Sequence, residues 1–181
     1  INYYGFTKLM IENQLKWYNQ IKGIKVACLR YFNAAGYDIN NRIVMKEKNP
    51  QNLIPIVMEV ASNIRHKINV FGGDYDTPDG TCLRDYIHVN DLAIGHVNAI
   101  EKLNSFKQIT TNLVTGKSHS VLDVINKVAD ISNKKINYEI VERRDGDPEA
   151  LYAKSNNILD YHNKYSDLDT IIKTTWNIYN K

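Results

Sequence analysis

Apolar residues recur along the chain at the spacing that places them on one face of an α-helix. This pattern predicts helices over residues 6–21, 52–65, 92–103 and 121–132, and two short helices near the carboxyl terminus, the last ending near Trp176 and Tyr179. Gly23 is suited to end the first helix, and Asn90 or Asp91 can cap the third. Ser120 can cap the fourth, with Asp123 completing a shorter relative of the capping box.

Short runs rich in β-branched and aromatic residues alternate with these helices and predict strands. The predicted strands cover residues 24–30, 68–73, 85–89, 110–115 and 135–141. Alternation of helix and strand is typical of an α/β protein with mostly parallel strands. Polar loops follow the strands that end near Arg30, Phe71 and Val141. A parallel sheet would gather these loops on one rim, where such folds bind their ligands.

The composition excludes several functional classes. Of the 181 residues, 43% are hydrophobic and 24% are charged, as in an ordinary globular domain. The net charge of +3, without a long basic run, argues against nucleic acid as a partner, and no apolar stretch approaches a membrane span. Cys28 and Cys82 lack the spacing of a metal or redox site. We therefore expect reduced thiols and no bound metal in a cytoplasmic protein.

Two arginines in the polar loops have the chemistry to bind a diphosphate. A guanidinium can donate two parallel hydrogen bonds to phosphate oxygens, which suits both Arg84 and Arg144. Asp147 could accept hydrogen bonds from ribose hydroxyls, as acidic residues do in nucleotide sites. The alternatives remain open. Arg84 could instead form a surface ion pair with Asp85 or Asp91, and the segment around Asp147 could be a solvated turn.

Other polar residues of the loops give weaker signals. Asn33 could bind a ligand through its amide or could hold the backbone of its own loop. The nine glycines form neither a dinucleotide-binding nor a phosphate-binding fingerprint, so this chain itself cannot cradle a pyrophosphate in the usual way. We expect a structural role for His88, which alternates with Tyr86 in a probable strand. Cys82 has no neighbouring base, which argues against a nucleophile.

The segment YYGFTK places Tyr4 and Lys8 four residues apart, a spacing that puts two residues on the same face of a helix. An ammonium group beside a phenol favours the ionised phenol, so this pair could act as a base. Tyr18 and Lys22 have the same spacing. Spacing alone therefore does not establish a catalytic pair.

Longer motifs give these residues a context. The chain carries, in this order, YYGFTKLMIE, LRYFNAAG, NLIPIVMEVA, VFGGDYDTPDGTCLRDYIHVNDLAIGH and RRDGD. Together these motifs resemble the UDP-glucose 4-epimerase (UDP-galactose 4-epimerase) family of the extended short-chain dehydrogenase/reductase superfamily. The resemblance extends from Tyr3 to about Tyr179. Its most specific part is the motif that ends in GTCLRDYIHVNDLA.

The resemblance implies the carboxyl-terminal part of a Rossmann-like, doubly wound α/β fold together with a small α/β substrate domain. Residues 1–35 would end the dinucleotide-binding domain and carry the catalytic Tyr-Lys helix. Residues 36–181 would form mainly the UDP-sugar domain, with some segments returning to the Rossmann sheet. The glycine-rich NAD-binding half would precede Ile1, which already lies in a helical pattern. We therefore expect the chain alone to be catalytically inactive.

The activity implied by the resemblance is NAD-dependent interconversion of UDP-glucose and UDP-galactose, an isomerase reaction of galactose metabolism. Tyr4 would take the proton of the sugar 4-hydroxyl while hydride passes from C4 to NAD. Lys8 would favour the ionised phenol and hold the nicotinamide ribose. The 4-keto sugar would then rotate in the site before hydride returns to its other face. The resemblance also implies a homodimer for the full-length protein.

The same resemblance assigns the remaining site residues. Phe32, with Tyr4 and Lys8, would contact the NAD cofactor. The positions that match UDP-sugar ligands are Asn33, Asn52, Leu53, Asn69, Val70, Phe71, Arg84, Tyr86, Arg144, Asp147 and Leu151. Within this set the arginines would bind the diphosphate, Asp147 the uridine ribose, and residues 69–71 the uracil.

Two positions depart from the family pattern. Tyr3 stands where proline usually precedes the catalytic tyrosine, which would alter the entry to the helix but not the chemistry. Leu151 stands where side-chain size helps to decide whether N-acetylated sugars fit, and leucine is intermediate in size. Two alternatives remain: an epimerase or dehydratase acting on another nucleotide sugar, and a catalytically inert nucleotide-sugar-binding fragment.

Overall fold

The structure is a computed structural model and describes residues 3–181. Its helices are α1 (Tyr3–Lys22), α2 (Leu53–Ala61), α3 (Val89–Lys102), α4 (Val121–Ser132) and α5 (Leu168–Tyr179). Its strands are β1 (Val26–Arg30), β2 (Asn33–Ala35), β3 (Ile68–Phe71), β4 (Leu83–Arg84), β5 (Tyr86–His88), β6 (Gln108–Asn112), β7 (His119–Ser120), β8 (Tyr138–Val141) and β9 (Ala150–Leu151). The predicted alternation of helices and strands is confirmed.

Most strand pairs are parallel. β1 pairs with β6, β2 with β5, and β3 with β8, each in parallel, while β4 lies between a parallel β9 and an antiparallel β7. The strands form several small sheets, so the loops do not lie on the rim of one parallel sheet. The pairing of β3 with β8 places Phe71 opposite Val141, so the loops that follow these two strands begin side by side. Asn33, which follows β1, lies opposite Tyr86 of β5.

The main core lies between the helices α2, α4 and α5 and the strand β3. Its most deeply buried side chains include Val57, Val124, Val128, Ile171 and Ile172. A second, smaller core lies around β6 and α3. The helix α1 differs from the others because none of its residues, Tyr3–Lys22, is buried. The apolar stripe that predicted this helix is therefore exposed within residues 3–181.

The predicted helix starts had different outcomes. Ser120 Oγ accepts a hydrogen bond from the Asp123 N–H, and the Asp123 carboxylate accepts one from the Ser120 N–H, which confirms the capping box. The expected cap of α3 by Asn90 or Asp91 is wrong. The cap is His88, whose Nδ1 accepts a hydrogen bond from the Asn90 N–H at 3.1 Å. The strand β5 continues directly into α3, so the last strand residue is the one that reaches the first turn.

The carboxyl-terminal region also differs from the prediction of two short helices. The described chain has the single helix α5 there, and residues 152–167 are irregular. The buried carboxylate of Asp91 holds part of this irregular segment by accepting hydrogen bonds from the Lys164 and Tyr165 N–H groups. The strand expected over 110–115 runs from Gln108 to Asn112 instead. Because residues 152–167 are held by buried groups that are far away in sequence, no local pattern in the sequence predicts their path.

Candidate functional site

A cavity of about 600 Å³ is lined by residues from the loops that follow β1, β3 and β8. Its wall includes the predicted substrate residues Asn33, Asn52, Leu53, Asn69, Val70, Phe71, Arg84, Tyr86, Arg144 and Asp147. Phe32, predicted to contact the cofactor, also lines it. Tyr4, Lys8 and Leu151 are the predicted site residues outside this wall. A cavity of this volume has the size of a typical small-molecule site.

Two elements of the core position one side of the cavity. In β3 the side chains alternate, so Val70 is buried while Asn69 is exposed. The helix α2 begins beside it, with Asn52 as its N-terminal cap residue. The Asn52 side chain makes no capping hydrogen bond, while its carbonyl oxygen accepts one from the Ile56 N–H at 3.2 Å. The first turn of α2 lines the cavity through Leu53.

Arg84 and Asp147, separated by 63 residues, form an ion pair on the cavity wall. The Arg84 guanidinium also donates a hydrogen bond to the Leu83 carbonyl oxygen at 2.9 Å. Only 13% of the Arg84 side chain is exposed. The predicted alternative partners, Asp85 and Asp91, are not the ones that Arg84 binds in the described chain. Two predicted ligand-binding residues thus contact each other directly.

The buried carboxylates of Asp85 and Asp91 have structural partners instead. Asp85 accepts hydrogen bonds from the Thr115 N–H at 3.1 Å and from the Gly116 N–H at 2.9 Å. Asp91 accepts one from the Lys164 N–H at 3.0 Å. Both carboxylates hold loops in place, a role that the sequence pattern did not indicate.

The neighbouring arginines after β8 point into different surroundings. The Arg144 guanidinium lies over the Phe71 ring, 3.8 Å from its centroid, on the cavity wall. The Arg143 guanidinium lies over the Tyr75 ring and donates a hydrogen bond to Asp74 at 2.7 Å. That hydrogen bond lowers the pKa of the Asp74 carboxyl group. Of the two, only Arg144 is positioned to meet a ligand in the cavity.

Asn33 and Tyr86 face each other across the pairing of β2 and β5. The Asn33 amide donates a hydrogen bond to the Asp85 carbonyl oxygen at 3.1 Å. Asn33 therefore holds main chain, but in the segment of Asp85 rather than in its own loop as the alternative expected, and its contact with a ligand stays a prediction. Tyr86 is only 5% exposed, and burial raises the pKa of its phenol. The phenol is therefore neutral at physiological pH.

Leu151 lies in β9, opposite Arg84 of the parallel strand β4. Its carbonyl oxygen accepts a hydrogen bond from the Asp85 N–H at 3.1 Å. The Leu151 side chain is not part of the cavity wall. Its connection to the cavity therefore runs through the strand that carries Arg84.

Tyr4 and Lys8 lie on α1. The Lys8 Nζ atom is 5.1 Å from the centroid of the Tyr4 ring, so the helical spacing does bring the charge to the ring. Tyr18 and Lys22, which also belong to the described chain, show no such contact. Tyr4 is 68% exposed. The pair is thus formed but is not enclosed by residues 3–181.

His88 has the structural role that the sequence predicts. It is fully buried, and its Nε2 lies 3.1 Å from the Thr174 Oγ1 atom. Because Nδ1 accepts the Asn90 N–H, Nε2 carries the proton and donates it to Thr174. Burial lowers the pKa of the imidazole. At Gly36, a Cβ atom would lie 2.5 Å from the His88 ring, so only glycine fits there.

Several residues of the cavity wall were not predicted. They include Tyr37, Glu47, Gln51, Cys82 and Thr175. Glu47 and Gln51 belong to the polar loop before α2, whose length was a signal for function. Thr175 belongs to α5 and reaches the cavity through tertiary packing, for which the sequence carries no local signal.

Within residues 3–181, no helix has the length and apolar character needed to cross a membrane. The same residues contain no cluster of His, Cys, Asp and Glu side chains that could hold a metal ion.

The chain is similar to a large group of known enzymes. A profile described as the NAD dependent epimerase/dehydratase family matches residues 1–113. The UDP-glucose 4-epimerase of Halalkalibacterium halodurans is 44% identical over 180 residues, which cover 97% of this chain and 54% of that protein. That of Rhizobium meliloti is 39% identical over 185 residues, covering 100% of this chain and 56% of that protein. The chain spans about half the length of the curated relatives it matches.

Solved structures give the same picture. The UDP-glucose 4-epimerase of Brucella ovis in complex with NAD superposes with a TM-score of 0.93 at 41% identity, covering 99% of this chain and 56% of that one. The Bifidobacterium longum enzyme in complex with NAD+ and UDP gives a TM-score of 0.87 at 34% identity, covering 99% and 55%. These similarities confirm the predicted fold class, the carboxyl-terminal part of a doubly wound α/β fold with its substrate domain.

Proposed function

This chain belongs to the NAD dependent epimerase/dehydratase family, and on that premise we propose that it carries the substrate site of an NAD-dependent UDP-glucose 4-epimerase. The reaction is the interconversion of UDP-glucose and UDP-galactose by inversion at C4 through a 4-keto sugar. One observation carries the proposal. The residues that match the family's UDP-sugar ligands, except Leu151, converge on a single cavity of about 600 Å³.

The charges on the cavity wall suit a nucleoside diphosphate. Arg84 and Arg144 present guanidinium groups from two different segments, and a diphosphate offers oxygens to both. Asp147 accepts hydrogen bonds from the ribose hydroxyls of uridine. Residues 69–71 bind the uracil mainly through main-chain groups, and the Arg144 guanidinium keeps the Phe71 ring in place by stacking on it.

Tyr4 and Lys8 supply the proton chemistry of the proposed reaction. Tyr4 Oη takes the proton from the sugar 4-hydroxyl in the first half of the reaction and returns it in the second. Lys8 holds a positive charge beside the Tyr4 ring, 5.1 Å from its centroid. The UDP group stays bound at the arginines throughout, while the sugar turns within the site.

The residues of this chain fit a part of an NAD site. When bound, NAD+ supplies the chemistry of taking a hydride from the sugar C4 and returning it to the opposite face. Tyr4, Lys8 and Phe32 would contact its nicotinamide end, and all three are exposed on the described surface. The nine glycines of the chain contain no dinucleotide fingerprint, so the cradle for the pyrophosphate of NAD would come from another segment.

The proposed division of labour follows the two parts of the chain. Residues 1–35 end the dinucleotide-binding domain, and residues 36–181 form mainly the UDP-sugar domain. The exposed apolar side chains of α1, among them Phe6, Leu9 and Trp17, support burial of this helix in the complete enzyme, which we take to be a homodimer. The cysteines Cys28 and Cys82 are free and buried, which supports a cytoplasmic location.

A second candidate function is nucleotide-sugar binding without catalysis. One observation favours it: Tyr4 and Lys8 are outside the cavity wall that holds the other site residues. Under this alternative the chain binds UDP-sugars and leaves them unchanged. A related possibility, epimerisation or dehydration of another nucleotide sugar, depends on the sugar pocket rather than on the UDP contacts.

The test is product analysis with the protein expressed from its complete gene. UDP-galactose is incubated with the protein and NAD+, and the nucleotide sugars are separated by anion-exchange chromatography. The proposal predicts conversion to UDP-glucose without loss of water. Binding of UDP-galactose without conversion would support the inert alternative, and a 4-keto dehydration product or turnover of UDP-glucuronate alone would support the related enzymes.

A further inference from the structure

The motif DGTCLRD contains residues that the proposed contacts leave unexplained. Arg84 is its proposed diphosphate ligand, but Asp79, Gly80 and Thr81 precede the strand and do not line the cavity. They form a turn that packs against the start of α4. We propose that Asp79 is a positioning residue, which orients Arg84 toward the diphosphate by fixing the turn before β4 to the first turn of α4. This inference rests on the proposed function.

The Asp79 carboxylate joins two segments of the chain. Its Oδ1 atom accepts hydrogen bonds from the Thr81 N–H at 2.9 Å and from the Thr81 hydroxyl at 2.8 Å. Its Oδ2 atom accepts a hydrogen bond from the hydroxyl of Ser120, the cap residue of α4. Both oxygens of the Asp79 carboxylate therefore accept hydrogen bonds, Oδ1 from the turn before β4 and Oδ2 from the start of α4. These bonds form a junction between the two segments.

Thr81 completes the junction. Its hydroxyl accepts a hydrogen bond from the Val121 N–H at 3.2 Å, so the same side chain contacts Asp79 and α4. Thr81 and Ser120 are buried, with 0% and 3% of their surfaces exposed. Val121 itself lies on the cavity wall. The junction thus connects the part of the cavity wall that contains Val121 with the strand that carries Arg84.

The main chain of the turn is tightly packed at Gly80. Gly80 has a φ of +79°, and a Cβ atom there would lie 2.3 Å from the Gly73 carbonyl oxygen. Directly after the turn, Leu83 lies opposite Ser120 in the pairing of β4 with β7. A shift at residue 79 would therefore move β4 relative to α4. Arg84 is at the end of that strand and would lose its alignment with the diphosphate.

Asp79 itself is exposed at the surface, so its side chain can be changed without opening the core. Asp79→Asn keeps the size of the side chain but replaces one acceptor oxygen by an amide that cannot accept a hydrogen bond from Ser120 or Thr81. Asp123→Asn is a matched control. Asp123 is also exposed and also binds Ser120, but it does so through the main-chain N–H and has no bond to Thr81.

The experiment compares UDP with uridine, using calorimetric titration of the protein expressed from its complete gene. Because the role of Asp79 runs through Arg84, Asp79→Asn should weaken UDP binding about tenfold and uridine binding less than about twofold. In an Arg84→Gln background the same change should alter UDP affinity less than about twofold. Asp123→Asn should lower the melting temperature yet leave both affinities within about twofold of the unaltered protein.

The outcomes separate this inference from the function on which it rests. Equal weakening of UDP and uridine, an unchanged UDP affinity, or the same loss in the Arg84→Gln background would each overturn the role of Asp79. If the unaltered protein bound no UDP, the proposed function would fall and the inference with it. If Asp79→Asn does not fold, Ser120→Ala removes the same junction bond, and a selective loss of UDP affinity is expected for it too.

Discussion

The carboxylate of Asp147 accepts a hydrogen bond from the guanidinium of Arg84 across the cavity wall. Arg84 belongs to β4 and Asp147 to the loop after β8, so the pair joins two segments that are distant in sequence. Under the proposed function each group gains a ligand partner, the diphosphate for Arg84 and the ribose for Asp147. The pairing orients both side chains before a ligand arrives, so the entropic cost of ordering them on binding is smaller.

Asp147→Asn tests the ribose contact. The change should weaken uridine binding about tenfold, because hydrogen bonds to a charged acceptor are stronger than those to an amide oxygen. Calorimetric titration of uridine measures the effect. Asp145→Asn is the control, since Asp145 lies in the same loop but not on the cavity wall. An Asp147→Asn protein with unchanged affinity would rule out the ribose contact.

Arg144→Ala and Arg143→Ala form a matched pair of neighbouring arginines. Arg144 lies on the cavity wall over Phe71, whereas Arg143 is paired with Asp74 outside it. Arg144→Ala should weaken UDP binding by about tenfold to a hundredfold, as expected for loss of a charged hydrogen bond of about 1.5–3 kcal/mol. The loss should shrink at high salt. Arg143→Ala should change the affinity by less than about twofold. Equal losses of UDP affinity in the two variants would contradict the assignment of Arg144 as the arginine that binds the diphosphate.

Gly80→Ala and Gly146→Ala compare two glycines with positive φ. At Gly146 the φ is +73° and a Cβ atom would meet nothing within 4 Å, so only the backbone conformation costs energy, about 1–2 kcal/mol. At Gly80 the Cβ atom would also lie 2.3 Å from the Gly73 carbonyl oxygen. Gly80→Ala should therefore lower the free energy of unfolding by at least about 3 kcal/mol. Urea denaturation measures both, and similar losses would contradict the packing at Gly80.

The buried imidazole of His88 predicts a loss of stability in acid. Burial lowers its pKa below the usual 6.5, although the facing carboxylates of Asp91, Asp167 and Asp38 oppose this shift. Below about pH 6.5, His88 therefore binds a proton in the unfolded chain but stays unprotonated in the folded protein. The contribution of His88 to the free energy of unfolding is thus complete above that pH and declines as the pH falls toward the folded-state pKa.

His88→Asn isolates this contribution, because asparagine can still cap α3 but does not titrate. The measurement is the free energy of unfolding in urea at several pH values between 7 and 5. The decline should be shallower in the variant than in the unaltered protein. Parallel declines would show that His88 is not the group responsible.

Local signals in the sequence explain most of the helices and part of the site. Ser120 and Asp123 formed the expected capping box because both partners lie within one turn. Gly23 ends α1 with a φ of +67°, as its position after the apolar stripe predicted. His88 was missed as a cap because histidine is not among the residues that usually take this role. The two-residue strands β4, β7 and β9 are too short to carry any periodicity.

The site depended on longer motifs and on tertiary contacts. The family motifs selected residues that the fold gathers on one cavity wall, which periodicity alone could not have done. The pairing of Arg84 with Asp147 and the contribution of Thr175 arise from contacts between distant segments. The sequence offered Asp85 and Asp91 as nearer partners for Arg84, but both carboxylates are committed to backbone N–H groups. The positions of the charged residues in the sequence do not predict these hydrogen bonds.

Under the proposed function, Tyr4 performs the proton chemistry at a UDP-sugar site formed by the loops. The decisive measurement compares Tyr4→Phe with its matched control Tyr18→Phe, both for conversion of UDP-galactose and for UDP affinity, in the protein expressed from its complete gene. Tyr4→Phe should reduce turnover at least about a thousandfold, since phenylalanine has no oxygen to accept the proton of the sugar 4-hydroxyl, and should leave UDP affinity within about twofold. Tyr18→Phe should change neither. Normal turnover by the Tyr4→Phe protein would contradict the claim.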